Sequence, residues 1–132
     1  MDAELLDRIE SAIRRDGRYP PDAFAFLHSG LQAAAELKHR AKRGRRARHV
    51  SGQELCQALR LLALTRWGPL ARDVLRSWNI RNTRDFGEMV YFMINLKIMG
   101  KQDSDDISDF DDVYDFDQAF SQYEIDVAPK DE

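Results

Sequence analysis

A mainly α-helical fold of five helices in a single domain is what this chain predicts, and three observations carry that reading. Apolar residues recur at spacings of three and four through five separate segments, which marks amphipathic helices rather than strands. Glycine, proline and capping residues stand between those segments, where helices begin and end. At 132 residues and 43% hydrophobic, the chain suits one domain with a core of its own. Residues 1–120 are expected to form that domain, with a basic inter-helix segment at 38–49, and residues 121–132 a polar acidic tail.

The first helix is expected over Asp2–Asp16, where Leu5, Leu6, Ile9 and Ile13 share a face. Gly17 is placed to end it in the left-handed conformation. Tyr19-Pro20-Pro21 then forces a corner, because a residue before proline is pushed out of the helical region. A second helix runs from Pro21 to about Arg40, opened by a proline tolerated in the first turn and by Asp22 at the positive end of the dipole. Its two apolar stripes, Phe24-Leu27-Leu31-Ala34 and Phe26-Gly30-Ala33-Leu37, predict a helix sandwiched in the core.

Past a basic run, Ser51-Gly52-Gln53-Glu54 has the form of a capping box, with serine capping and glutamate reaching back. Leu55, Leu59 and Leu62 are the spine of the third helix, which extends to about Trp67. Trp67-Gly68-Pro69 breaks the chain, and Pro69 opens a fourth helix carrying Leu70, Val74, Leu75 and Trp78. Asn82 or Thr83 caps a fifth, expected to end near Met99 with Gly100 beyond. Residues 98–102 and 110–116 are expected to pair as two short strands around the acidic loop Asp103-Ser104-Asp105-Asp106. A further helical turn follows from Asp117 to Phe120. Two short helices, a long apolar helix and a hairpin is the order of winged-helix domains. The C-terminal half is therefore either winged-helix-like or a plain helical bundle carrying one short β-hairpin.

The net charge of −3 conceals a polar division of the chain. Residues 1–100 carry 18 Lys+Arg against 11 Asp+Glu, a balance of +7, while 101–132 carry 2 against 12, a balance of −10. Electrostatic arguments therefore belong to segments. A single cysteine, Cys56, excludes an intrachain disulfide and suits a reducing compartment. Acids at Asp2 and Glu4 stand where a signal peptide needs positive charge, and no apolar run approaches a membrane span. The expected location is cytoplasmic.

Candidate chemistry is sparse. Cys56 lies in a leucine-rich helix, where a free cysteine is expected to be buried packing rather than a nucleophile. His28, His39 and His49 form no i, i+4 pair and no zinc spacing, and His28 on a core helix is expected to be partly buried. In the acid-rich stretch from Asp103, an EF-hand fails because Ile107 and Ser108 occupy its fifth and sixth positions. Asp85-Phe86-Gly87 has three letters of the protein-kinase signature, but the glycine-rich loop, strand lysine and catalytic loop are missing. Gly87 is expected to let the fifth helix approach a neighbouring helix closely. No catalytic, cofactor or metal residue is assigned, and an enzyme with an unrecognised site stands behind two binding readings.

The run Lys38 to His49 carries seven formal positive charges and no acid. Such a run meets either solvent, as a solubilising loop, or a polyanion, where neutralised phosphates release counterions. The fifth helix is ill suited to reading DNA bases. Its polar residues, Arg84, Asp85, Glu88, Tyr91, Asn95 and Lys97, are nearly neutral together, and the loop after it is acidic. The leading expectation is a non-enzymatic protein contacting RNA or a ribonucleoprotein through Lys38, Arg40, Lys42, Arg43, Arg45, Arg46 and Arg48. The alternative is a protein–protein adaptor whose acidic C-terminal region and helix 83–99 engage a basic partner protein.

Five patches also bear a likeness. They are Arg18-Tyr19, the stretch from His49 to Leu55, the stretch from Trp67 to Arg72, the stretch from Trp78 to Glu88, and the closing Tyr114 to Phe120. Over residues 17–120 the sequence resembles a family of small conserved proteins of planctomycete and related bacteria, to which no function is assigned. The resemblance implies a complete bacterial protein and no particular reaction, cofactor or active site.

Overall fold

The computed structural model describes residues 3–42, 49–102 and 104–120, with the backbone alone at Ala41 and Lys42. Among these residues five α-helices follow one another: α1 (Ala3–Asp16), α2 (Pro21–Lys42), α3 (Gly52–Trp67), α4 (Ala71–Ser77) and α5 (Thr83–Asn95). Short 3-10 turns stand at Gly68–Leu70 and Ile107–Phe110, and residues 116–120 are helical. The expected mainly helical domain is therefore present. No described helix is long and apolar enough to cross a membrane.

The helix starts follow from capping chemistry. Ser51 accepts the Glu54 N–H while the Glu54 carboxylate accepts the Ser51 N–H, and Asn82 with Asp85 does the same at α5. Each box satisfies two of the donors that a helix start leaves unpaired. Pro69 lies in the 3-10 turn rather than opening α4, which begins at Ala71.

The helix ends depend on left-handed residues. Gly17 (φ 77) returns its N–H to the Ile13 carbonyl and stops α1. Asn79 (φ 67) does the same work at α4: its N–H reaches the Arg76 carbonyl, that of Ile80 the Leu75 carbonyl, and Leu75 and Ile80 are both fully buried. That is a Schellman end with its apolar contact. Lys97 (φ 63) builds the same end on α5, with Lys97 N–H to Ile94 O and Ile98 N–H to Met93 O. The fifth helix therefore stops at Asn95, not near Met99. Ile98 and Met99 continue the apolar pattern because they fold back toward the body, not because the helix continues.

The core is wrapped around α2 and α3. The Leu59 side chain fills the space that a Cβ on Gly30 would need, so the two helix backbones approach closely there. Phe26 packs against Trp67 and Trp78 with ring centroids 5.2 and 5.9 Å apart, and Phe24 against Phe92 at 5.7 Å. These tilted rings tie α2 to the α3 end, to the residue after α4 and to α5.

The hairpin is the main correction. Among the described residues there is no strand: 98–102 are bends and unclassified backbone, and 110–116 run from a 3-10 end through a turn into a helical stretch. Polar groups that a ladder would have paired are satisfied otherwise. Thr83 Oγ1, which is buried, donates to the Phe110 carbonyl at 2.6 Å and accepts the Val113 N–H at 3.2 Å. The Tyr114 hydroxyl donates to the Cys56 carbonyl at 2.7 Å, and Phe116 packs between Phe86 and Phe120 at 5.9 and 5.2 Å. The segment after α5 is a strap laid across α3 and α5, and it supplies no wing.

Candidate functional site: an acid-rimmed cleft

A cleft of about 450 Å³ opens between α2, α3, α5 and the segment that follows α5. Its floor is apolar. Leu31 and Ala35 come from α2, Leu55 from α3, Val90, Tyr91 and Ile94 from α5, and Phe110 from the strap. The α5 residues reach it together because spacings of three and four share a helix face. Phe110 reaches it because α3 begins with glycine: a Cβ on Gly52 would stand 3.0 Å from the Phe110 ring.

The rim is acidic, with Asp105, Asp106 and Asp109 beside His49 and Lys101. Each carboxylate holds a turn with one oxygen. Asp105 Oδ2 accepts the Gln102 N–H at 2.7 Å, Asp106 Oδ1 the Ser108 N–H at 2.8 Å, and Asp109 Oδ2 the Asp106 N–H at 3.2 Å. The Ser108 N–H holds the Asp106 carboxyl below its ordinary range. Burial, and then the field of all three acids, raises the Tyr91 hydroxyl above its usual value. Lys101 turns inward and donates to the Gln102 and Asp105 carbonyls at 3.2 and 3.3 Å.

Three of the seven sequence-assigned cations lie on α2. α2 runs two residues past Arg40, so Lys42 joins Lys38 and Arg40 on the helix. Lys38 Nζ is 2.9 Å from Glu54 Oε1, the oxygen that also accepts the Ser51 N–H. Burial works to raise the Glu54 carboxyl, but the Ser51 N–H and Lys38 outweigh it, and the net shift is downward. Arg40 pairs with Glu36 at 2.7 Å, one turn back. The Lys42 side chain and Arg43, Arg45, Arg46 and Arg48 lie outside the described residues. At the far end of the run, His49 Nε2 is 3.1 Å from Asp105 Oδ1. The basic run and the acidic region therefore meet at the cleft rim.

The remaining candidates lie outside the cleft lining. Cys56 is fully buried, and burial alone pushes its thiol up to about 12. His28 and His39 are exposed, which for His28 differs from the partly buried position expected: its neighbours Phe26 and Leu27 take the core face. No described group of three His, Cys, Asp or Glu could hold a metal ion. Asp85 caps α5 and accepts the Tyr19 hydroxyl at 2.6 Å. Gly87 permits a close approach as expected, but what approaches is the Phe110 side chain, not a helix.

The cleft itself was not anticipated. Leu31 reads as a core position and Tyr91 as surface, and only the folded-back strap makes them two walls of one space. Compared with protein-family models, curated proteins and solved structures, the chain matches none.

Proposed function

We propose that the chain is a non-enzymatic protein-interaction module of the cytoplasm whose cleft receives a basic segment of a partner protein, seated by an apolar side chain. The observation that supports this is the cleft's combination of an apolar floor with three carboxylates on its rim. Apolar floors bind helix or peptide anchors, and complementary rim charge steers and orients them. This is the adaptor reading, and the cations favour it over the nucleic-acid one, since Lys38 and Arg40 already have carboxylate partners. The resemblance to a family without assigned function supports neither.

The second reading keeps Arg43, Arg45, Arg46 and Arg48 as an RNA contact, on the strength of a run with no acid. One experiment separates the two. A labelled synthetic peptide of leucine and lysine, its leucine–glutamate counterpart and a single-stranded RNA are titrated by fluorescence anisotropy. The lysine peptide binds and the glutamate peptide does not. Asp106→Asn with Asp109→Asn, which retains the oxygens that hold the turns, weakens peptide binding by about fivefold. Ile94→Arg abolishes it. RNA binding without peptide binding, with a log–log salt slope of about −3 for four phosphate contacts, sinks the proposal in favour of the second reading.

A further inference from the structure

Between α4, the residues that follow it and the strap lies a smaller depression, about 80 Å³, which shares no lining residue with the cleft. Arg72, Arg76 and Arg81 line it, with Asp117, Ile80 and Phe116. The sequence brings the three arginines together in two steps. Arg72 and Arg76 are one turn apart on α4 and share a face. The left-handed Asn79 then turns the chain, Ile80 is buried beneath α4, and the Arg81 N–H is held by Asp85 Oδ2 at 2.8 Å. Arg81 thus returns beside the other two, over a floor made by buried Ile80 and Phe116.

Charge there is unbalanced. The one acid in the lining is Asp117, whose Oδ1 accepts from Arg72 Nη1 at 2.6 Å and whose side chain is 73% exposed. Arg81 spends its Nε–H on Asn79 at 3.4 Å, and the Arg76 guanidinium makes no hydrogen bond among the described residues. Three guanidinium groups against one carboxylate leave two positive charges in excess, with most of their donors available. Guanidinium forks match the oxygens of phosphate in geometry as well as charge.

We infer that this depression binds a terminal phosphate dianion, supplied either as inorganic phosphate or as the phosphomonoester of a phosphorylated side chain. Asp117 holds its place beside Arg72 until the ligand displaces it. The volume takes one phosphate group, and an excess of two charges matches a dianion near neutral pH. A nucleic-acid backbone has one charge per phosphate and needs a track of contacts rather than a single pocket.

The test follows the Nε–H signals of Arg72, Arg76 and Arg81 by NMR in the intact chain, at constant ionic strength. Inorganic phosphate shifts all three saturably. Arg76→Gln weakens that binding about tenfold, as loss of a charged hydrogen bond should. Asp117→Asn tightens it about tenfold, because the competing carboxylate has gone. A purely structural Arg72–Asp117 pair predicts no gain. A phosphoserine peptide that binds more tightly than inorganic phosphate identifies a side-chain source, and equal affinity identifies free phosphate. The inference is overturned if the shifts do not saturate or if Asp117→Asn leaves the affinity unchanged. It is equally overturned if an RNA oligonucleotide lacking a terminal phosphate shifts the three signals as strongly.

Discussion

At Phe110 the side chain occupies space that a Cβ at Gly87 would need, 2.8 Å from its Cβ, and its ring leaves little more at Gly52. Gly87→Ala forces Phe110 off its seat, and overpacking of this kind costs about 1–3 kcal/mol, which urea denaturation would measure. Lys97 has the opposite character. Its φ of 63 is a conformation that a side chain resists, so Lys97→Gly raises stability by about 1 kcal/mol in the same assay. The sequence pointed to a neighbouring helix at Gly87, because glycine within an apolar helix has few other uses, and the neighbour is instead one side chain. It could not name Phe110, which lies far along the chain with no local pattern joining the two. Cys56 was legible outright, since a lone thiol among leucines points to burial.

Boundaries marked by a local residue pattern were legible, among them the ends of α1 at Gly17 and of α3 at Trp67, while the start of α4 and the ends of α2 and α5 were misplaced. Ser51 with Glu54 forms the box expected there, and Asn82, one of two residues expected to cap α5, forms a second box with Asp85 that was not foreseen. Ser51→Ala removes one cap bond and costs about 1 kcal/mol in thermal or urea unfolding. The α5 end was misplaced because apolar spacing reports burial, and Ile98 remains partly buried after the helix has stopped. The α2 end was set too early because a cationic run suggests loop, whereas Glu36 and Glu54 neutralise Arg40 and Lys38. Where strands were expected, one buried hydroxyl pairs two backbone groups of the strap. Thr83→Val keeps the shape but leaves the Phe110 carbonyl and the Val113 N–H without it. A loss of about 1–3 kcal/mol follows, larger than for either partner of an exposed ion pair.

Over the whole molecule, weak acids shielded from water shape its response to alkali, Cys56, Tyr19 and Tyr114 most strongly. Burial raises the Cys56 thiol to about 12. Burial also raises the hydroxyls of Tyr114 and Tyr19, with the bond to Asp85 adding to the shift at Tyr19. Each group keeps its proton longer when folded than when unfolded. Above the unfolded value the unfolded chain binds fewer protons, so unfolding becomes easier as pH rises. Stability should therefore fall from about pH 9, the ordinary thiol value, and more steeply above 10, the ordinary tyrosine value. Cys56→Ala should flatten the first part of that decline while leaving the second, as urea midpoints across the range would reveal. The separation of charge was legible at this scale, and the acidic region does lie against the cationic body. Arg84 meets Asp111 at 2.8 Å and Arg72 meets Asp117 at 2.6 Å. Which surface that contact would create was not legible, because the cleft and the arginine pocket exist only once the strap is down.

Phe110 is at once a wall of the cleft and the group seated over Gly52 and Gly87. A molecule whose strap has lifted has no complete cleft, so an occupant binds only the closed fraction and must, by reciprocity, hold it closed. Ligand affinity and amide-hydrogen exchange are then two readings of one equilibrium. The Val113 amide, bonded to Thr83, exchanges more slowly as the cleft fills, although it lies outside the cleft lining.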